Sequence, residues 1–215
     1  MVARKVFLRN QKVDYMDKYL QSCSTDFWQE VFKAELEYIL QELKGTKDVL
    51  SVGCGPAVIE AGLSEHGFNV TGLDISKEAL SQAPDSIRTM EGSAEKMDFL
   101  ESCFDAVIYI ASIQFIDKYK QAIEETARIL RQDGKLLAML LNPQSEFFKE
   151  KIKNPDSYIN KIKHTDLKEI EKTIFEYFDV KTEYFLGIKG EEIFQSREPD
   201  LAALYVIKGK NKNRN

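Results

Sequence analysis

The sequence predicts an α/β fold: a mostly parallel sheet of seven strands, helices on both of its faces, and an antiparallel hairpin at its end. Three observations predict it. Short continuous apolar runs, such as residues 106–110 and 136–141, alternate with stretches of helical periodicity, as expected of strands buried on both faces. A glycine turn, Gly53-Cys54-Gly55, joins the first apolar run to a helical stretch. The last two strand-like runs, 180–188 and 201–207, have no helix between them and so should pair antiparallel.

Each element has its own signal. The first 20 residues are polar with scattered aromatics and read as a loose helix. Trp28, Phe32, Leu36, Ile39 and Leu43 recur at three- and four-residue spacing, which makes one apolar stripe on a helix over 25–43. Ser24, Thr25 and Asp26 offer its N-cap, and Gly45 stops it. Strands follow at 48–52 and 70–74, separated by a helix over 58–66 that Gly67 closes. Ser76 caps a helix running to about Ala83, ahead of Pro84. Residues 87–91 make a third, less apolar strand, and 106–110 a buried fourth. Tyr119, Ile123, Ala127 and Leu130 mark an amphipathic helix over 118–130, ending at Gly134 before a strand at 136–141. Leu167, Ile170, Ile174 and Phe178 mark a last helix, capped by Thr165 or Asp166.

Bulk properties bound the function. The 215 residues suit one domain with a full core, and no internal repeat or low-complexity linker divides them. A net charge of −5 offers no global positive field, so neither nucleic acid nor an anionic membrane is expected as a partner. No apolar run reaches the roughly 18–20 residues of a bilayer span. The N-terminus lacks the continuous apolar stretch of a secretory signal. The cysteines, Cys23, Cys54 and Cys103, are odd in number and widely spaced. They suggest neither a disulfide framework nor a metal knuckle, which points to a reducing, cytoplasmic setting. Two distant histidines argue against zinc, so no metal is expected.

The informative stretch is Val49-Leu50-Ser51-Val52-Gly53-Cys54-Gly55-Pro56-Ala57. Glycines let the backbone approach a ligand closely, and the helix start beyond them offers unpaired N–H groups. The next strand ends in Asp74, about 20 residues on, placed to accept hydrogen bonds from the two hydroxyls of an adenosine ribose. A dinucleotide fingerprint, G-x-G-x-x-G/A, needs a small residue at its third position. Here that position holds Val58, which is β-branched, so the fingerprint fails. S-adenosylmethionine has no pyrophosphate and needs only accessible loop backbone, which Gly53 and Gly55 provide.

This run resembles motif I of the class I S-adenosyl-L-methionine-dependent methyltransferases, and the likeness continues over about residues 15–208. VTGLDIS at 70–76 resembles the second motif, with Asp74 as the ribose carboxylate and Ile75 beside it. EGSAEKMDF at 91–99 resembles the third, whose residues flank the adenine; here these are Ser93, Ala94 and Glu95. FDAVIYIASIQFI at 104–116 resembles the fourth, at whose strand end methyl group and acceptor meet, with the backbone of Tyr109 lining the pocket. ARILRQDGKL at 127–136 resembles the segment before the fifth strand, and the closing hairpin is also the family's. The resemblance implies a single Rossmann-like domain over 1–215, with a helical cap over about 1–44 and a lid insert over about 143–164. It implies S-adenosyl-L-methionine as cofactor, held by Gly53, Cys54, Gly55, Asp74, Ile75, Ser93, Ala94, Glu95 and Tyr109. Three positions depart from the family's usual pattern. Ser51 stands where an acidic residue is common, Ala57 where a third glycine often sits, and Ser93 where an aspartate often meets the adenine amino group. Losing two carboxylates should weaken binding, because charge-assisted hydrogen bonds are the stronger kind.

Methyl transfer from a sulfonium is an in-line displacement with a neutral leaving group. The protein has chiefly to align the acceptor and exclude water. A base is needed only where the acceptor must lose a proton. The candidates for the acceptor wall are Tyr15 and Tyr19, from the segment that folds over the cofactor in this family, together with Tyr109, Gln114 and His164, the last as a base. Four of the five have a plainer reading: helix packing for Tyr15 and Tyr19, core packing for Tyr109, a surface histidine before a helix cap for His164; Gln114 occupies the turn facing the acceptor. Cys54 reads as structural. Residues 142–164 are long for a strand-to-helix connection. They interleave Phe147, Phe148, Ile152, Tyr158, Ile159 and Ile162 with Lys149, Lys151, Lys153, Lys161 and Lys163. That pattern fits a lid whose basic rim favours an acidic small molecule, or an amphipathic helix with a solvated lysine face. The leading expectation is a methyltransferase acting on a small molecule. The alternatives are a non-catalytic, methyltransferase-like subunit serving a partner protein, and an NAD-linked oxidoreductase, which Val58 opposes.

Overall fold

Capping chemistry sets where the helices start in the computed structural model, which describes residues 25–212. Helix α1 (Asp26–Glu42) opens on Thr25, whose side chain accepts from the Trp28 N–H. After β1 (Asp48–Val52), helix α2 (Val58–Glu65) opens instead on Ala57, left-handed at φ 58° and with no side-chain cap. Strand β2 (Asn69–Asp74) leads to the short α3 (Lys77–Leu80), capped by Ser76, and then to β3 (Arg88–Glu91) and β4 (Phe104–Ile110). Helix α4 (Tyr119–Ile129) runs directly into β5 (Leu130–Leu141). Ser145 caps α5 (Glu146–Lys151), and Asp166 caps α6 (Leu167–Tyr177) by accepting from the N–H groups of Lys168 and Glu169. The chain closes with β6 (Phe178–Lys189), β7 (Glu192–Phe194) and β8 (Ala202–Asn211).

The strands form one sheet in the order β3-β2-β1-β4-β5-β8-β6-β7. The first five pair in parallel, and β8, β6 and β7 add antiparallel. This is the Rossmann-like arrangement. Period-two alternation divides β1 between two cores. Leu50 and Val52 pack with Ile123 and Ala127 of α4 and Ile170 and Ile174 of α6. Val49 packs on the other face with Val31 and Ile39 of α1 and Ile59 and Leu63 of α2. Each such side chain contributes roughly 1.5–3 kcal/mol by leaving water. The order reverses at β1, which lies between β2 and β4. A crevice therefore opens beyond the carboxyl ends of these strands, where open α/β sheets bind ligands.

Four details differ from the sequence reading. The sheet has an eighth strand, β7, whose Phe194 ring covers Gly187 of β6 so closely that a Cβ there would clash. The fifth strand begins at Leu130, because Leu130 pairs with Phe104 and the register then jumps to Ala106 opposite Lys135. Gly134 therefore sits within an irregularity of β5, beside Asp133 at φ 61°, and does not stop the helix. Helix α3 ends at Leu80, short of Ala83. The loose helix expected of the first 20 residues lies outside the described residues. Among the described residues no helix is long and apolar enough to cross a membrane.

A clasp holds the amino ends of β1, β4 and β5. Arg131 Nη1 donates to Asp105 Oδ1 at 2.5 Å and to Asp48 Oδ2 at 3.0 Å. Asp105 Oδ2 accepts from the Lys47 and Asp48 N–H groups at 2.8 and 2.9 Å. The Asn69 amide and Arg131 hold the Asp48 carboxyl below its usual range. For Asp105, burial pulls upward, but the Asp48 N–H and Arg131 outweigh it and the value is lowered. Depressed carboxyls stabilise a fold above their unfolded pKa, about 4, and that contribution fades as pH falls through the lower folded values. Asp105→Ala should therefore cost about 1–3 kcal/mol at pH 7, the scale of stranded donors. Urea unfolding should show this deficit shrinking below pH 4.

Candidate active site

Three residues among five around the turn after β1 take left-handed backbone: Gly53 at φ 74°, Gly55 at 55° and Ala57 at 58°. At Gly53 a Cβ would lie 2.6 Å from Cβ of Ser112, so only glycine fits. The turn is tied to β2 at two levels. Gly53 N–H donates to the Leu73 carbonyl at 2.7 Å, and Gly55 N–H donates to Asp74 Oδ2 at 2.8 Å. Asp74 Oδ1 accepts from Ser76 N–H at 2.8 Å. Each carboxylate oxygen has two lone-pair sites, so each keeps one for a further donor. The glycine turn and the acid at the neighbouring strand tip thus share one bonded unit.

Beside this unit lies a cavity of about 360 Å³, within the usual range for small-molecule sites. Gly53, Asp74, Ile75, Ser93, Ala94 and Glu95, all singled out from sequence, line it. Ile75 is 77 % exposed, an apolar side chain held at the rim with nothing over it. Ser93 Oγ accepts from Glu95 N–H at 3.1 Å and keeps its own proton for donation. Glu95 Oε1 accepts from Lys118 N–H at 3.1 Å, which ties this loop to the start of α4.

The other expected residues stand elsewhere. Gly55 acts through its N–H on Asp74 and is not part of the cavity wall. Cys54 turns its thiol inward beside Gly72, where a Cβ would lie 2.6 Å from Sγ, and burial pushes that thiol well up. Tyr109 is fully buried in the core, with its hydroxyl 2.7 Å from Thr126 Oγ1, so its side chain takes no part. Gln114 is also fully buried and is a staple. Its Oε1 accepts from Leu141 N–H, and its Nε2 donates to the carbonyls of Leu141 and His164. His164 Nε2 lies 2.9 Å from the Ile116 carbonyl, so that nitrogen carries a proton, and the ring packs edge-on against Tyr119. It is not on the cavity wall, which removes the geometry a base there needs. Tyr15 and Tyr19 lie outside the described residues. The lid segment is largely anchored: Phe147, Phe148 and Ile159 are buried in the core. Of its lysines, Lys163 reaches the cavity wall, paired with Asp117 at 2.8 Å.

Sequence reasoning missed several wall residues. Ser112 Oγ donates to the Val52 carbonyl at 2.6 Å and locks the end of β4 onto the end of β1. Ala111 is left-handed at φ 46°, a strained conformation for alanine and one that concentrates at functional sites. Phe115 and Ile116 add an apolar patch. Nothing in local spacing marks these positions, because they meet the cavity through the order of the strands.

Comparison with known proteins agrees with this geometry. A family model described as a methyltransferase domain matches residues 50–138, from β1 into β5. Over that stretch the chain is similar to methyltransferase domains, and its Rossmann-like fold is the one those enzymes share. A SAM-dependent methyltransferase from Thermotoga maritima superposes with a TM-score of 0.77 at 19% identity, covering 91% of this chain and 95% of the other. A phosphoethanolamine N-methyltransferase of Haemonchus contortus, solved with S-adenosyl-L-methionine, gives 0.58 at 21% identity over 70% of this chain and 38% of its own. A ubiquinone biosynthesis O-methyltransferase of Alkalilimnicola ehrlichii is 30% identical over 134 residues, 58% of this chain and 50% of that protein. The chain spans about half the length of the curated relatives it matches.

Gly53 and Gly55 separate two effects. Gly53→Ala adds both left-handed strain and a clash with Ser112, whereas a Cβ at Gly55 meets nothing within 4 Å and adds strain alone. Gly55→Ala should cost about 1 kcal/mol, and Gly53→Ala clearly more. Thermal melts of the two variants test the order.

Proposed function

We propose that this chain transfers the methyl group of S-adenosyl-L-methionine to a small-molecule acceptor. The observation that carries this reading is the hydrogen bond from Gly55 N–H to Asp74 Oδ2, which joins the bare-backbone turn to a carboxylate at the cavity. The residues present fit the cofactor. Asp74 keeps acceptor capacity for two ribose hydroxyls. Ile75 and Ala94 offer apolar surface for a flat base, and the Ser93 hydroxyl offers a donor to it. Gly53 leaves room where any side chain would meet Ser112. The bound sulfonium supplies an activated methyl with a neutral leaving group. The chain's own work is alignment and exclusion of water. Phe115 and Ile116 give apolar wall for that purpose, while Asp117 and Lys163 set the polarity at one side.

A small acceptor is supported by the chain's acidic charge of −5, which offers no field to a polyanion. The relatives' names differ, ubiquinone biosynthesis in one case and phosphoethanolamine in another, so no single acceptor transfers from them. Cofactor binding is the direct test. Calorimetry with Asp74→Ala should show S-adenosylmethionine affinity reduced about tenfold or more, the scale of a lost charged hydrogen bond of about 1.5–3 kcal/mol. Equal affinity in variant and wild type contradicts the reading. Absence of any binding to the wild type returns the non-catalytic alternative.

A further inference from the structure

Behind the glycine turn lie two buried carboxyls that no step above uses. Glu60, in the first turn of α2, is 3 % exposed, and its Oε1 accepts from Ser51 Oγ at 2.5 Å. Glu35, on α1, is 6 % exposed. Burial pushes Glu60 up to about 7, with the Ser51 bond pulling down and Asp74 pushing up. Burial, with Glu60 beside it, pushes Glu35 up to about 8. The groups facing Glu60 are therefore Ser51 from β1, Asp74 from β2, Glu35 from α1 and the Cys54 thiol from the turn. No cation among the described residues enters either carboxyl's surroundings.

An ionised carboxylate is costly to bury without an opposite charge beside it. Ser51 immediately precedes Val52 and Gly53, both on the cavity wall, so the carboxyl bonded to it stands one residue behind that wall. We propose that Glu60 is a positioning residue for the cofactor's charge: in its ionised form it makes the adjoining cavity prefer a sulfonium to a neutral thioether. This rests on the cofactor reading above. It also relocates a carboxylate to the site, since Ser51 of β1 carries none and Glu60 supplies one from α2.

Linkage sets the sign. Glu60 is mostly neutral below pH 7 and ionised above it. A bound sulfonium favours the ionised form, and the ionised form favours the sulfonium by the same factor. S-adenosylhomocysteine differs from S-adenosylmethionine only in lacking the methyl and, with it, the charge on sulfur, so the pH dependence of the ratio of the two affinities isolates this effect.

The test is calorimetry of the full chain with each ligand at pH 6, 7 and 8. The preference for S-adenosylmethionine should rise about three- to tenfold across that range, since one unit of coupled pKa is about tenfold. Glu60→Gln keeps an acceptor for Ser51 and loses the charge. At pH 8 it should bind S-adenosylmethionine about three- to tenfold more weakly, bind S-adenosylhomocysteine within about twofold of wild type, and show a flat ratio. A purely structural Glu60 leaves the wild-type ratio independent of pH, and that result overturns the proposal whether or not the variant folds. If both ligands bind with a flat ratio, Glu60's role alone falls. If neither binds the wild type, the cofactor reading falls and this one with it.

Discussion

One carboxylate organises the site. Asp74 accepts from Gly55 on one oxygen and from Ser76 on the other, so it fastens the turn after β1 and the start of α3 to the tip of β2. Charge-assisted bonds of this kind are about twice as strong as neutral ones. They also explain why the left-handed turn is tolerable. Gly53 and Gly55 take positive φ at little cost, but Ala57 does not, and its strain needs the surrounding bonds to hold it. The same side chain that anchors the backbone lines the cavity, so on the proposed function structural and ligand-binding roles coincide in one residue.

The opposite wall is built by staples of a different kind. Ser112 locks β4 to β1 through the Val52 carbonyl. Gln114 spends its whole side-chain amide on the end of β5 and on residue 164, and its backbone carbonyl accepts from the Lys163 and His164 N–H groups. A fully buried amide with its donors and acceptor paired stabilises a unique arrangement, whereas a half-paired one would cost free energy. Lys163 and its partner Asp117 reach the cavity because of that staple. Gln114 thereby shapes that wall of the cavity without lining it.

The parallel sheet and its crevice were legible because both arise from short-range chemistry. Continuous apolar runs marked β1, β2 and β4. Ser76 and Asp166 announced their helices by side-chain caps. The glycine turn and Asp74 carried a spacing with a mechanical reason. What was illegible depended on partners far along the chain. Leu130 continues the apolar stripe of α4, so helical periodicity claims it, but pairing with Phe104 draws it into β5. Tyr109 sits beside the expected pocket in sequence, and strand alternation turns its ring into the core under α4, against Thr126. Ser51 read as a missing carboxylate. Glu60 carries no signal of its own in the sequence, because nothing local says that α2 will bury it against β1.

Every role assigned to the site requires that an adenosyl ligand occupy the cavity at Asp74. A crystal structure with S-adenosylhomocysteine tests it most directly. The ribose hydroxyls are expected within hydrogen-bonding distance of the Asp74 carboxylate, with the adenine against Ile75 and Ala94 and the sulfur toward Gly53. Ligand density elsewhere on the molecule, with Asp74 left facing solvent, would contradict the claim.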